Sequence, residues 1–312
     1  MNSISSDLAN FMNGSCPLKG SLEKEIIMAV VLIAGASGLF GSRVAEAFAM
    51  AGWTVRKYQR RSDMTRAAQG ADVIVNGLNP PNYHDWANLI PQITAQVLEA
   101  ARASGATVIV PGNVYNYGDQ PSPWGPDTPQ IAQTRKGKIR VAMEAEYRAS
   151  GLPVIILRGG DFLDEQSKTL MAMLLKDAAK GKIARLGAEV PRAFAYLPDM
   201  ARAVVALAEM RAQLPRFADV PFTGHNFTQE QFRDEMQRQS GLSFKLTNFP
   251  WWLMHLTSPF WELAREFCEM RYLYNLPHQL DAGPMAALLT EFQPTPFAEV
   301  VARHCKTLGL MG

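Results

Sequence analysis

The sequence predicts an α/β protein, a doubly wound parallel sheet joined to a smaller, mostly helical C-terminal part. Three observations carry that expectation. Short apolar strand patterns alternate with helix-period segments up to about residue 160. Those strands are apolar on both faces, as a parallel sheet covered by helices on both sides requires. A glycine-punctuated turn separates the first strand from the first helix.

The elements follow in order. "AVVLIAG", Ala29 to Gly35, reads as a strand, Ser42 to Ala51 as a helix, and "GWTVRKY" as the returning strand of a β-α-β unit. "ADVIVNG", Ala71 to Gly77, is a further strand, "WANLIPQITAQVLEAARASG" a long amphipathic helix and "ATVIVPG" the strand after it. A Pro-rich loop from Pro121 to Pro129 leads to a helix over about Lys136 to Ser150 and a buried strand over Pro153 to Gly159. Beyond Asp161 the alternation loosens. "LMAMLLKDAAKG" and "LPDMARAVVALAEMRAQ" read as helices, and Thr228 with Gln231 forms a capping-box signature for a helix ending at Gly241. The stretch "NFPWWLMHLTSPFWELAREFCEMRYLY" is strongly aromatic, which suits either a self-packing helical subdomain or a ligand-lining one.

Size and composition narrow the possibilities. At 312 residues and 47% hydrophobic content the chain can bury a large core. A net charge of +2 on 31 basic and 29 acidic side chains asks for no nucleic acid and no anionic membrane. The apolar run "IIMAVVLIAGASGLFG" is broken by glycine and is too short to span a bilayer. The three cysteines, Cys16, Cys268 and Cys305, lie far apart, which argues for a reducing, cytoplasmic setting and against a disulfide framework or a zinc site. The histidines show no metal-ligand spacing, and no G-x-S-x-G elbow occurs.

The turn Gly35-Ala36-Ser37-Gly38-Leu39-Phe40-Gly41 carries the strongest chemical signal. Its glycines allow a tight turn, close backbone approach to a pyrophosphate and close helix packing, and the helix entrance offers free N–H groups to an anion. The turn therefore marks a Rossmann-type dinucleotide site at Gly35, Ser37, Gly38, Leu39, Phe40 and Gly41. At the end of the second strand, where a carboxylate would hold the ribose hydroxyls of NAD, stand Gln59, Arg60 and Arg61, with Asp63 beyond them. Guanidinium groups suit a 2′-phosphate, so NADP(H) is the preferred cofactor, with NAD(H) possible. An exposed basic turn is the plainer alternative.

With the glycine turn, "GNVYNYG", "ILRGGDF", "RAFAYLPDMARAVVALAE" and "FQPTPFAEVVARH" in place, most of Ala29 to His304 resembles the extended short-chain dehydrogenase/reductase superfamily, in its NAD(P)-dependent epimerase/dehydratase-like branch. The resemblance implies a cofactor-binding Rossmann core, 28–160 with later segments able to return to it, and a substrate-binding subdomain mainly over 161–312. Residues 1–27 are expected to be a flexible extension, with translation starting at Met1 or Met28. The family further implies a small-molecule substrate and a possible homodimer.

Family members use a Ser or Thr near a V-Y-G sequence and a Y-x-x-x-K pair. The matching register places Asn113 at the Ser/Thr position, Lys136 at the Tyr position, Arg140 at the Lys position and Glu144 at the trailing acid. A second register aligns Thr134 and Lys138. Residues 136 and 140 are one helical turn apart, so both are expected in the same cleft. Arg140 then binds the cofactor, Asn113 orients a carbonyl, and Lys136 or Tyr115 donates the proton; Tyr117 matches a structural tyrosine. His84 is a candidate substrate contact or a surface histidine. Asp199 and the glutamates suit helix capping and surface pairing. The expected function is an NADP(H)-dependent oxidoreductase or epimerase-like enzyme acting on a small carbonyl/alcohol or nucleotide-sugar substrate. The substituted trio leaves open a catalytically inactive dinucleotide sensor or interaction protein, and a redox-neutral dehydration or isomerisation.

Overall fold

The computed structural model describes residues 28–166 and 169–311; the expected extension over 1–27, and Cys16 with it, lies outside the described residues. The first half alternates strand and helix: β1 (Val30–Ala34), α1 (Leu39–Met50), β2 (Thr54–Lys57), a short α2 (Met64–Ala67), β3 (Val73–Asn76), α3 (Trp86–Ser104), β4 (Thr107–Gly112), α4 (Arg135–Ala149) and β5 (Val154–Arg158). The second half runs β6 (Asp161–Leu163), α5 (Leu170–Leu174), β7 (Lys182–Arg185), β8 (Arg192–Tyr196), α6 (Leu197–Glu209), β9 (Phe217–Pro221), β10 (His225–Phe227) and α7 (Gln229–Ser240). It ends with β11 (Lys245–Asn248), α8 (Trp251–Thr257), α9 (Glu262–Glu269), α10 (Gly283–Leu288) and α11 (Phe297–Thr307).

Six strands form one parallel sheet in the order β2-β1-β3-β4-β5-β9. The order diverges between β1 and β3, and in open α/β sheets ligands bind at such a point, outside the carboxyl ends of the strands. The doubly wound parallel sheet and the smaller, largely helical C-terminal portion are both present. The central strands are apolar because helices cover both faces. Phe40, Val44 and Phe48 of α1 pack with α6 on one face, while Ile90 and Val97 of α3 and Met143 and Tyr147 of α4 cover the other. Strand β9 and helix α6 belong to this layered unit although they follow β6 to β8 in sequence.

The remaining elements make two small sheets, β10-β8-β6 and β11-β7, around a separate apolar cluster of Phe194, Phe227, Phe232, Val300 and Val301. The capping box at Thr228 and Gln231 forms as the sequence indicates, and Gly241 ends α7 in the left-handed conformation. The segment 170–181 departs from its helical expectation: α5 stops at Leu174, and a single 3-10 turn over Ala178–Lys180 follows before a left-handed Gly181. Arg43 of α1 ties the two parts together through a bidentate contact with the buried Asp164, at 2.6 and 2.9 Å. Among the described residues no helix is long and apolar enough to cross a membrane.

Candidate active site

A cleft of about 1850 Å³ opens at the carboxyl ends of the sheet strands, between the sheet and the C-terminal elements. Its first wall is the glycine turn. Gly35 has φ of +85°, and a Cβ there would stand 2.6 Å from the Gly77 carbonyl oxygen. A Cβ on Gly41 would stand 2.2 Å from the Gly35 oxygen, so side chains are excluded by backbone rather than by movable groups. Ser37, Gly38, Leu39 and Phe40 line the cleft with Gly35, whereas Gly41 stands behind the turn and permits its close packing. Gly38 is the N-cap of α1 and brings no capping side chain, so the first N–H groups of a twelve-residue helix are left for a ligand.

The second wall departs from the sequence expectation. Arg140 does line the cleft: its side chain is buried, one Nη donates to Asn79 Oδ1 at 3.0 Å, and the guanidinium lies 4.6 Å from the Trp86 ring centroid. Among the described residues its Nε is buried with no hydrogen-bond partner, and it makes no ion pair with a carboxylate. Burial lowers its pKa from the usual guanidinium value, opposed by nearby Tyr115 and Glu144. Lys136 is not part of the cleft wall. Its ammonium is fully buried against α9, donates to the Glu266 carbonyl, lies 3.5 Å from the Glu266 carboxylate and 3.8 Å from that of Glu269, and sits 4.1 Å from the Tyr83 ring centroid. Burial pulls its pKa down to about 8 against the opposing pull of the two glutamates. The expectation that residues 136 and 140 share one cleft is thus corrected. Arg140 meets the cleft, whereas Lys136 meets the C-terminal helix that packs over the start of α4.

Tyrosines stand where the lysine was expected. Tyr115 and Tyr83 both line the cleft as neighbours, and burial raises both phenols above the ordinary tyrosine range. Both are therefore protonated at neutral pH and suited to giving a proton rather than taking one. Asn113 lines the cleft beside them; its Oδ1 accepts the Tyr115 backbone N–H at 3.0 Å, which leaves its amide hydrogens available. Tyr117 is fully buried outside this group, its hydroxyl donating to the Gly125 carbonyl at 3.2 Å. Tyr83 was missed in the sequence. It lies in the run Asn82-Tyr83-His84-Asp85, in which residues 82, 83 and 85 all have positive φ. Backbone held in that region by non-glycine residues clusters at functional sites, but no residue-type pattern announces it.

The loop after β4 is held from beneath. Arg158, fully buried at the end of β5, donates to the Asn113 carbonyl at 2.7 Å and pairs with Glu144 at 2.6 Å and Asp219 at 2.7 Å. Glu144 is therefore a buried support rather than a surface charge. Asp199 likewise departs from its expected capping role: buried in the first turn of α6, it accepts from Thr295 at 2.7 and 2.8 Å and from Arg202 at 2.7 Å. His84 lies on the loop surface, clasped 2.9 Å from Glu262 and outside the cleft wall. The second register gains no support from position: Thr134 is the N-cap of α4, accepting from Gly137 N–H at 3.1 Å, and Lys138 does not line this cleft. No group of three His, Cys, Asp or Glu side chains among the described residues is arranged to hold a metal.

No protein-family model matches the chain, and no curated protein does. Solved structures do. MoeE5 with UDP-glucose and NAD superposes with a TM-score of 0.73 at 15% identity, over 90% of this chain and 99% of that one. UDP-glucuronic acid 4-epimerase from Bacillus cereus with NAD gives 0.72 at 16%, over 91% and 100%. WbmH from Bordetella bronchiseptica with NAD+ gives 0.67 at 17%, over 89% and 98%. The resemblance to epimerase/dehydratase-like extended dehydrogenases accordingly holds as a shared fold along almost the whole length.

These structures overturn the preference for NADP(H), since each of the three was solved with NAD. The local geometry supplies the physical reason. Arg60 and Arg61 are exposed on the turn after β2; Arg60 touches the cleft and Arg61 does not. Among the described residues no hydrogen bond or ion pair fixes either guanidinium, so they make no preformed fork for a 2′-phosphate.

Proposed function

We propose that the protein is an NAD(H)-dependent oxidoreductase of the epimerase/dehydratase-like kind, acting on a carbonyl/alcohol centre of a small molecule. The observation that carries this reading is the conjunction of the uncapped glycine turn at one end of the cleft with the buried Arg140 guanidinium, which has no carboxylate partner among the described residues, beside two protonated tyrosines at the other. The turn excludes side chains and offers N–H groups, as a pyrophosphate requires; Arg140 lines the cleft as a cation, which suits a ribose hydroxyl or phosphate. Both ends fit the dinucleotide, which when bound supplies hydride transfer at the nicotinamide.

The chain's own residues supply orientation and a proton. Asn113 donates from its amide to the substrate oxygen, and Arg158 keeps it in place by holding its carbonyl. Tyr115 gives its phenolic proton to the oxygen of a carbonyl undergoing reduction, with Tyr83 beside it to share the charge that develops. Lys136 supports this pair from behind the Tyr83 ring and does not itself reach substrate. Because Arg140 replaces the lysine that ordinarily assists such a tyrosine, the site favours reduction over removal of a proton from an alcohol.

The direct test is titration of the purified protein with NADH, followed by its oxidation in the presence of a carbonyl panel that includes ketones, enones and UDP-sugars. Saturable NADH binding with turnover on at least one carbonyl class is expected. Binding with no turnover anywhere in the panel would favour a dinucleotide sensor, a reading motivated by the replaced Tyr and Lys; absence of binding would defeat both.

A further inference from the structure

The reach of the cleft beyond the tyrosines is walled by apolar side chains. Leu170 and Met173 of α5, Leu253 and Met254 of α8, and Leu263 and Phe267 of α9 all line it. Charged groups on this wall, among the described residues, are the solvent-exposed Lys176, its neighbour Asp177, and Asp161 nearer the tyrosines. The buried arginine in this region, Arg192, does not line the cleft, and its charge is satisfied by Asp161 at 2.6 Å. A nucleotide diphosphate brings two negative charges that need desolvated cations or several N–H donors. Among the described residues this wall offers no desolvated cation, only the exposed Lys176 and the neutral polar side chains of Thr169, Thr247 and Asn248.

On the α8 and α9 side, exposed apolar side chains adjoin this wall in sequence. Trp261 lines the cleft and is 48% exposed, and it leads to Phe260 at 94%, with Trp252 and Leu256 of α8 exposed at 70% and 65%. Several large exposed apolar side chains within one short segment point to a binding surface. Leu253, Met254 and Trp261 line the cleft, and Trp252, Leu256 and Phe260 are their exposed neighbours in sequence, so one short segment carries apolar side chains both on the cleft wall and on the surface. The other aromatic residues of the same stretch, Trp251, Phe267 and Tyr274, pack on each other, so the outward ones are not needed for the subdomain's core.

We infer that the substrate is a neutral carbonyl or alcohol bearing a long apolar chain, whose functional group lies at Tyr115 and Asn113 and whose chain runs between α5 and α8 to leave over Trp261 and Phe260. The inference rests on the proposed dehydrogenase site and specifies its substrate class.

The experiment reads binding, independent of turnover. Nile red, a neutral apolar fluorophore, is bound to the full chain and displaced by n-alkanols from butanol to dodecanol, with and without NADH. Displacement is expected to tighten by roughly fourfold per added methylene until the path is filled, while UDP-glucose displaces nothing. Met254→Asp and Leu253→Asp should flatten the series, with melting curves confirming that each variant is folded. A flat series in the unaltered protein, or UDP-glucose displacing the dye more tightly than any alkanol, overturns the inference. So does loss of the series in Trp252→Ser with Phe260→Ser while Met254→Asp keeps it, since the outer patch alone would then hold the chain. If NADH fails to bind while the alkanol series keeps its slope, the dehydrogenase reading fails and the apolar site stands; if NADH binds and the series is flat, the reverse holds.

Discussion

The two ends of the cleft are built on different terms. At the β1–α1 end the ligand-facing groups are backbone N–H groups within a seven-residue turn, and the neighbours that constrain them are also backbone: the Gly77 and Gly35 carbonyls. At the other end the groups are side chains drawn from the loops after β3 and β4 and from α4, buttressed by Arg158 on β5 and by Glu266 on α9. The backbone end tolerates few alternatives, because a Cβ has nowhere to go. The side-chain end can exchange partners, and in this chain a lysine turned to the subdomain and tyrosines filled the cleft in its place.

The largest effect expected from breaking this contrast lies at the backbone end. Gly41→Ala sets a Cβ against the Gly35 oxygen and should abolish NADH binding and lower the unfolding free energy by at least about 3 kcal/mol in denaturant titrations. Gly38→Ala, whose Cβ would stand 3.3 Å from that oxygen, separates the two effects: it should fold and lose affinity alone. The same loss from a substitution that leaves the turn's geometry intact would mean that the backbone is not the binding element.

Arg158→Leu tests the support beneath the side-chain end. It leaves Glu144 and Asp219 buried without their cation, a change worth about 3–5 kcal/mol, and it frees the Asn113 carbonyl, so both stability and turnover should fall. Tyr115→Phe should lower kcat by about 100-fold or more with NADH affinity nearly unchanged. An unchanged kcat would remove Tyr115 as the acid and point to Tyr83, whose own Phe variant makes the comparison complete.

Lys136 gives a pH signature instead of a catalytic one. Its folded pKa of about 8 lies below the usual lysine value of 10.5, so between these limits the unfolded chain binds more protons and folding is favoured as pH rises. The unfolding free energy of the unaltered protein minus that of Lys136→Met should therefore climb from about pH 8 to pH 10.5, by at most about 3 kcal/mol, and be level below pH 8. A difference that falls over this window would show that the ion pairs with Glu266 and Glu269 outweigh burial. The smallest effect belongs to Arg60 and Arg61: neutralising both should change NADH affinity by less than about threefold, because exposed, unanchored cations contribute little.

Legibility in the sequence followed the same division. The alternation of strands and helices and the glycine turn were readable because each depends on local periodicity or on a backbone conformation that only certain residues permit. Arg140 was readable from its spacing on α4, and Tyr115 and Asn113 from their place after β4. Tyr83, Arg158 and Glu266 gave no comparable signal, since their positions depend on distant segments: Arg158 on Asp219, 61 places away, Glu266 on Lys136, 130 places away, and Tyr83 on the same Lys136. Lys136 shows how helical spacing misleads. A turn's separation puts two residues on one side of a helix, but not against one neighbour when the helix starts beneath a second domain element.

What the amino-acid order determined by itself was the class of fold, the position of the glycine turn and the helix that carries Arg140, because each is settled by steric rules acting within a few residues. Which charges are spent on each other, which tyrosines face the cleft and how far its apolar wall continues toward solvent were decided only when distant segments packed together. Burial and pairing are properties of the assembled neighbourhood, and a side chain's chemistry changes with the neighbours that the fold brings to it.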